Sequence, residues 1–251
     1  MATVVLVRHG RTTANATGVL AGRSAGVRLD EVGTEQARRT AARLAVVPLA
    51  AVVSSPLVRC RQTAAAILAA QQEAVGASPR RGRGARPPAP DLELDKGLLE
   101  CDYGEWQGRP LKELAKEKLW SSVQRTPSSV TFPGGESMRE MQARGVDAVR
   151  RHDAAVEAAH GPDATWVAVS HGDIIKSILA EALGTHLDLF QRVHVDPASV
   201  SIVRLVDGSP SVLGTNTHEG DLSWLAAALK GGRTRPRSAD AVVGGGAGPG
   251  R

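Results

Sequence analysis

The nearly continuous apolar run Thr3-Val4-Val5-Leu6-Val7 leads directly into Arg8-His9-Gly10. The run is short and rich in β-branched residues, which is typical of a strand buried on both faces. Similar runs lie at Ala51–Val53 and Trp166–Val169, and Ser199–Val206 is a fourth candidate strand. The first run therefore predicts a central strand that carries an arginine and a histidine just beyond its carboxyl end.

Helical patterns separate these candidate strands. A helix is predicted over Glu31–Leu44, and Ser55-Pro56 supplies an N-cap and a first-position proline for the next helix. Apolar stripes at helical spacing follow at Cys60–Leu68, Met138–Val156 and Ile174–Leu183. Strands that alternate with helices indicate an α/β fold. We expect a three-layer α/β/α sandwich around a mostly parallel central sheet.

Composition and charge favour one globular domain over residues 1–230. The chain has 251 residues, 31 Lys and Arg against 26 Asp and Glu, and a net charge of +5. The excess positive charge lies in two Gly- and Pro-rich segments, which we interpret as a surface insertion at 76–90 and a disordered tail at 231–251. The remainder is mildly acidic and poor in aromatics, which disfavours nucleic acid as a partner.

The sequence also bears on membranes, compartment and cofactors. No apolar run approaches the roughly 18–20 residues of a membrane span, and no basic leader precedes the first apolar run. Two cysteines without a pairing pattern favour a reducing cytoplasm. Since there is no Cys-x-x-Cys, no His pair at i,i+4 and no phosphate-binding loop motif, we expect neither a metal site nor a nucleotide cofactor.

Charged and imidazole side chains follow three of the predicted strands. Arg8 and His9 follow the first, Arg59 lies in the helix after the second, and His171 follows the strand at 166–169. Ligands of open α/β sheets bind beyond the carboxyl ends of the strands, so these side chains should meet at one rim. Arginines and the N–H groups that open a helix at Gly172 would bind phosphate, and a neutral imidazole could act as nucleophile.

Other interpretations exist for each of these residues. Taken singly, Arg59 would be a solvated helix residue and His171 a capping or core histidine, and only their joint placement favours phosphate chemistry. The segment Gly22–Gly26 matches the G-x-S-x-G motif of serine hydrolases. That motif requires a strand before it and a helix immediately after it, and the sequence predicts neither. We interpret the match as accidental.

Five sequence blocks in order resemble the histidine phosphatase superfamily, which includes the phosphoglycerate mutases. The blocks are Leu6–Thr12 with Asn15, Ser54–Ala64, Leu99–Gly108, Pro133–Ser137 and Ser170–Asp173. The resemblance implies that His9 is the phosphorylated nucleophile and that Arg8, Arg59 and His171 bind the phosphoryl group with help from Asn15. It also implies that Glu100 protonates the leaving oxygen without a metal. Such an acid needs a raised pKa, which burial or a neighbouring charge would supply.

Within this family the sequence resembles the phosphatases more than the mutases. Mutases typically place an arginine directly after the acid, where this chain has Cys101, and Trp106 and Gly108 match the phosphatase pattern. We therefore expect a phosphatase that acts on a small phosphorylated metabolite. A cofactor-dependent mutase and a non-catalytic phosphate-binding module are the alternatives.

Several details stay open at this point. Glu136 either approaches the pocket or belongs to a helix start, and the segment 109–135 would cap the site and govern substrate choice. Its Lys112, Lys116, Lys118 and Arg125 form a solvated face. Cys60 and Cys101 adjoin catalytic residues and suggest oxidant sensitivity, although the apolar stripe that contains Cys60 favours an inert core thiol.

Overall fold

A six-stranded sheet forms the centre of the protein in a computed structural model that describes residues 2–78, 86–206 and 209–226. Its strands are β1 (Thr3–Arg8), β2 (Val52–Ser54), β3 (Leu92–Leu94), β4 (Thr165–Ser170), β5 (Val200–Val206) and β6 (Ser209–Thr217). The helices are α1 (Thr13–Ala16), α2 (Glu31–Leu44), α3 (Val58–Gly76), α4 (Leu111–Leu114), α5 (Trp120–Arg125), α6 (Met138–His160) and α7 (Gly172–Ala182). Residues 79–85 of the expected insertion and the whole of the expected tail, 231–251, lie outside the described residues.

The sheet is mostly parallel, as the sequence predicts. The strand order is β3-β2-β4-β1-β5-β6, and the first four strands run parallel to one another. β5 pairs antiparallel with β1, and β6 pairs antiparallel with β5. No helix of the described residues is long and apolar enough to cross a membrane.

Alternation along β1 explains why helices cover both faces of the sheet. Val4 and Leu6 lie in one hydrophobic cluster with residues of α6 and α7, whereas Val5 and Val7 lie in another with residues of α2 and α3. A strand buried on both faces needs apolar side chains at every position, which is what the run at the start of the chain supplies. The expected three-layer sandwich is confirmed.

The two edge strands were not predicted from the sequence. β3 has only three residues, and Glu93 and Leu94 are exposed, so it lacks an apolar run. β6 contains Pro210 and Gly214, which are unusual inside a strand and are tolerated at an edge. Neither edge strand has a fully buried residue, so neither shows the apolar run or the alternation that marks a strand in a sequence.

The predicted start of α3 requires a correction. The helix begins at Val58, with Leu57 as its N-cap residue, and not directly after an N-cap at Ser55. The hydroxyl of Ser55 contacts the ring of His171 at 2.8 Å instead. The turn at Ser55-Pro56 is therefore used to place a polar side chain at the end of β2.

Strand order brings three loops together at one end of the sheet. β1 and β2 lie on either side of β4, with Arg8 in register with Ser170 and Ser54 in register with Val169. The residues that follow these parallel strands therefore emerge side by side. This arrangement is the one that the sequence predicts for Arg8, His9 and His171.

A close backbone contact fixes the loop that carries His9. A Cβ on Gly33, in the first turn of α2, would lie 1.9 Å from the carbonyl oxygen of Arg11. A Cβ on Gly10 would lie 2.3 Å from the carbonyl oxygen of Gly33. Asp30, the N-cap of α2, also accepts a hydrogen bond from Nε of Arg11 at 2.8 Å. Only glycine at both positions permits this approach.

We predict that Gly33→Ala lowers the free energy of unfolding by at least about 2 kcal/mol, because the new methyl group would overlap backbone atoms. Gly76→Ala is the matched control, since a Cβ there would meet no atom within 4 Å. Its stability should be unchanged or slightly higher, because alanine favours helix. Urea unfolding of both variants checks this, and equal midpoints would contradict the close approach.

Candidate active site

Two arginines and two histidines meet where β1, β2 and β4 end. The rings of His9 and His171 lie 5.2 Å apart between centroids. Nε of Arg59 lies 3.2 Å from Nε2 of His9, and its Nη2 lies 3.1 Å from Nδ1 of His171. Thus the guanidinium group of Arg59, which is almost fully buried, bridges both imidazoles.

His9 is held as a neutral imidazole whose Nε2 is unprotonated. Its Nδ1 lies 2.7 Å from the carbonyl oxygen of Gly10, which can only accept, so Nδ1 carries the proton. Nε2 therefore accepts the hydrogen bond from Arg59. Burial, followed by the charges of Arg59 and Arg8, lowers the pKa of His9 well below its usual value. The unprotonated Nε2 is the atom that a nucleophile requires.

His171 is also neutral in this structure. Its Nδ1 accepts from Arg59, and its Nε2 donates to the hydroxyl of Ser55 at 2.8 Å. Burial is the main cause of its lowered pKa, and the charges of Arg59, His9 and Arg8 add to it. A charged imidazole at this position would therefore require a bound anion beside it.

Two buried N–H donors have no partner in the described part of the chain, and both belong to the predicted arginines. They are Nε of Arg8 and Nη1 of Arg59. Nη1 of Arg8 donates to the carbonyl oxygen of Val195 at 2.6 Å, and Nη2 of Arg59 donates to that of Gly22. An unsatisfied buried donor costs about 1–3 kcal/mol, and an anion between the two side chains would remove that cost.

Gly172 and Asn15 complete the polar end of the site. Gly172 opens α7, and a Cβ there would lie 3.5 Å from Cζ of Arg8, so the guanidinium group lies close to the N-terminus of this helix. The side-chain oxygen of Asn15 accepts hydrogen bonds from Thr12, which leaves its amide NH2 group to donate. Both residues line the same cavity as His9.

Glu100 also lines the cavity. The pKa of its carboxyl group is raised to about 7. Burial is the main cause, and the negative charge of Asp173 adds to it, while the Cys101 amide N–H and the charges of Arg59 and Arg8 act against it. The amide N–H of Cys101 donates to Oε1 of Glu100 at 3.0 Å. This carboxyl group can therefore both give and take a proton near neutral pH, as expected for the acid.

The model of the histidine phosphatase superfamily (branch 1) matches residues 4–218. The chain belongs to this superfamily. It is 35% identical over 217 residues to the bifunctional protein Rv2228c of Mycobacterium tuberculosis, covering 83% of this chain and 52% of that protein. The chain thus spans about half the length of the first curated relatives that it matches.

Relatives with named activities and solved structures agree with this membership. Phosphoserine phosphatase 1 of Hydrogenobacter thermophilus is 28% identical over 219 residues, covering 86% of this chain and 92% of the relative. The solved structure of YhfR from Bacillus stearothermophilus superposes with a TM-score of 0.70 at 27% identity, covering 90% of this chain and all of the other. A mycobacterial glucosyl-3-phosphoglycerate phosphatase has the same fold, with a TM-score of 0.71 at 24% identity and coverage of 86% and 99%.

Glu136 does not line the cavity. Its carboxylate binds Arg23 at 2.9 Å, the amide N–H of Asp102 at 2.8 Å, and Arg144. Ser137, not Glu136, caps α6. Neither interpretation offered by the sequence, approach to the pocket or a helix start, describes Glu136, which instead holds the loop that carries Glu100.

Two arginines that sequence reasoning missed hold the loop before and around Glu100. Arg144 donates to the carbonyl oxygens of Gly97, Leu99 and Glu100, and Arg23 donates to that of Glu100. Arg23 lies within the G-x-S-x-G match, where no strand precedes the motif and Ser24 does not line the cavity. Because the partners of Arg23 (Glu100, Asp102 and Glu136) lie far along the chain, no local sequence pattern marks its role.

The cavity has a volume of about 320 Å³ and extends from the phosphate end to the segment 109–135. This segment contributes Leu111, Trp120, Val123, Gln124 and Phe132 to its lining. Its basic residues Lys112, Lys116, Lys118 and Arg125 are exposed and lie outside the lining, as expected for a solvated face. The described residues contain no cluster of three or more side chains suited to bind a metal.

Both thiols are buried and poorly suited to oxidation. Burial raises the pKa of Cys60 to about 12, and it raises that of Cys101 still further. Neither side chain is exposed to solvent. Because the thiolate is the reactive form, the structure favours the inert interpretation over oxidant sensitivity.

We predict that Arg59→Met removes most of the binding of inorganic phosphate, because it deletes a buried donor and the charge beside His9. In the wild type, phosphate at about one hundred times its Kd should stabilise the fold by about 2.7 kcal/mol. Arg61→Met is the matched control, since Arg61 is two positions along the same helix and exposed. Calorimetric titration and thermal unfolding check this. Wild-type affinity in Arg59→Met would contradict the assigned site.

Proposed function

We propose that the protein is a metal-independent phosphatase that hydrolyses a small phosphomonoester through a covalent phosphohistidine on His9. One observation carries the proposal: the unprotonated Nε2 of His9 lies beside buried guanidinium N–H groups that lack partners among the described residues. Phosphoryl transfer needs little more than positioning and stabilisation of charge on the equatorial oxygens. The phosphatases among its relatives support the same reaction class.

The first step forms the phosphohistidine. Nε2 of His9 attacks phosphorus, the bond from phosphorus to the ester oxygen breaks, and Glu100 gives its proton to the departing alcohol. Arg8, Arg59 and the N–H group of Gly172 stabilise the equatorial oxygens. The negative charge of the phosphoryl group raises the pKa of His171, so that this ring becomes a charged donor in the complex.

The second step restores the enzyme. Glu100, now a carboxylate, takes a proton from a water molecule as the water oxygen attacks phosphorus. The bond from phosphorus to Nε2 breaks, phosphate leaves, and both His9 and Glu100 return to their starting protonation states. A pKa of about 7 suits a group that acts as acid in one step and base in the next.

The mutase alternative finds less support in this structure. The residue after the acid is Cys101, which is fully buried and carries no charge for a substrate carboxylate. A non-catalytic phosphate-binding module would not need a carboxyl group with a pKa of about 7. The free thiols Cys60 and Cys101 accord with a reducing cytoplasm, which we propose as the compartment.

We predict that rapid quenching with a 32P-labelled phosphomonoester traps label that is labile in acid and stable in base, because a P–N bond has this character. His9→Ala should trap none and should lose essentially all turnover. His160→Ala, at the exposed end of α6, is the control and should trap as much as the wild type. Turnover without a trapped adduct would exclude the covalent route.

We predict that kcat/KM falls above about pH 7, because Glu100 must be protonated to act as acid. The rise on the acid side should lie well below pH 6.5, since His9 must be unprotonated and its pKa is lowered. Glu100→Gln should remove the fall above pH 7 and lower kcat/KM about 100-fold to 10,000-fold for alkyl phosphates.

The same variant should be much less impaired with p-nitrophenyl phosphate, whose leaving group needs no proton. Glu105→Gln, an exposed carboxyl group five residues along, is the control and should keep the wild-type profile. Equal losses for both leaving groups would show that Glu100 is not the acid.

A further inference from the structure

The two ends of the cavity differ in chemistry. Its inner end carries the residues of the phosphate site, and its outer end combines apolar and aromatic side chains with the polar groups Gln124, Asp173, Lys176 and Gln191. The outer lining includes Leu20, Tyr103, Trp106, Leu111, Trp120, Val123 and Phe132. The part of the substrate beyond the phosphoryl group must therefore contact an apolar wall.

Charged groups at the outer end are already paired. Nζ of Lys176 lies 3.6 Å from the carboxylate of Asp173 and donates to Gln191 at 3.0 Å. The hydroxyl of Tyr103 donates to Asp173 at 2.7 Å. Among the described residues that line the cavity, no unpaired cation therefore remains outside the phosphate site to bind a second anionic group.

The aromatic side chains pack into one cluster, which forms the outer wall of the cavity. The rings of Trp106 and Trp120 stack with centroids 6.2 Å apart and planes 25° from parallel. Phe132 packs edge-on against both Trp106 and Tyr103. Trp106 is almost fully buried and Trp120 is half-buried, so Trp120 lies on the open side of the stack. Such a wall favours a flat, apolar group that can lie against the rings.

We infer that the substrate is the phosphomonoester of an uncharged alcohol with a flat apolar or aromatic ring system, an inference that rests on the proposed phosphatase function. The volume of about 320 Å³ admits one or two fused rings together with the phosphoryl group. A carboxylate or second phosphate on the substrate would meet Asp173 and an apolar wall, at a cost in desolvation. Phosphoserine and phosphoglycerate are therefore poor fits.

The test compares esters whose leaving groups are all aliphatic alcohols, so that bond strength does not decide the result. We expect kcat/KM for 2-naphthylmethyl phosphate to exceed those for phosphoserine and 3-phosphoglycerate by about tenfold to a hundredfold. Methyl phosphate serves as the size control and should be as poor as the charged esters. Equal or better hydrolysis of a charged ester would overturn the inference.

A pair of tryptophan variants tests whether the outer wall causes the preference for the aromatic ester. Trp120→Ala should lower the ratio of kcat/KM for 2-naphthylmethyl phosphate over methyl phosphate about tenfold, mainly through a higher KM for the aromatic ester. Trp224→Ala removes the same side chain outside the cavity and should keep the wild-type ratio. An unchanged ratio in Trp120→Ala would overturn the role of the wall.

A non-hydrolysable ligand tests the inferred ligand class separately from the proposed phosphatase activity. 2-Naphthylmethylphosphonate should bind more tightly than methylphosphonate in the wild type, whether or not turnover occurs. Tight binding of the aromatic phosphonate without hydrolysis of any ester would refute the phosphatase proposal and retain the ligand class. Hydrolysis together with equal binding of both phosphonates would refute the ligand class and retain the phosphatase.

Discussion

The buried guanidinium group of Arg59 is the interaction on which the rest of the site depends. It donates to His9, to His171 and to the carbonyl oxygen of Gly22, and so joins three segments that are far apart in the sequence. A buried cation with no carboxylate partner among the described residues is costly. Burial, together with this charge, lowers the pKa of both imidazoles and keeps them neutral. The site therefore carries an unbalanced positive charge when no ligand is bound. In the proposed reaction, the phosphoryl group of the substrate supplies the negative charge that balances it.

The pKa of Glu100, the proposed acid, is shifted upward, in the opposite direction to the pKa values of the two histidines. Glu100 lies in the same cavity as Arg8 and Arg59, whose charges would lower its pKa, yet burial and Asp173 outweigh them. Asp173 has two functions in this account, because it raises the pKa of Glu100 and also pairs with Lys176 at the outer end of the cavity. Proton transfer and substrate preference are thus connected through one side chain.

Much of this arrangement could be predicted from the sequence, for physical reasons. The ends of parallel strands meet at one edge, so Arg8, His9 and His171 could be placed together from apolar runs alone. Glu100 follows no strand and was identified only through the family resemblance. Ser55, Arg23 and Arg144 were missed because their partners lie elsewhere in the chain and no local spacing marks them. Glu136 was misjudged since a conspicuous acid in a matching block can serve the scaffold as well as the ligand.

The anchoring of the Glu100 loop to α6 has an evolutionary consequence. Arg144 holds three carbonyl groups of that loop from a long helix, whereas four apolar residues of the outer lining come from the segment 109–135. Replacement of the wall would leave the reacting groups in place. Under the proposed function, substitutions within the segment 109–135 can change which substrate binds without moving Glu100. The same segment is the place where an engineer would replace residues to alter the substrate.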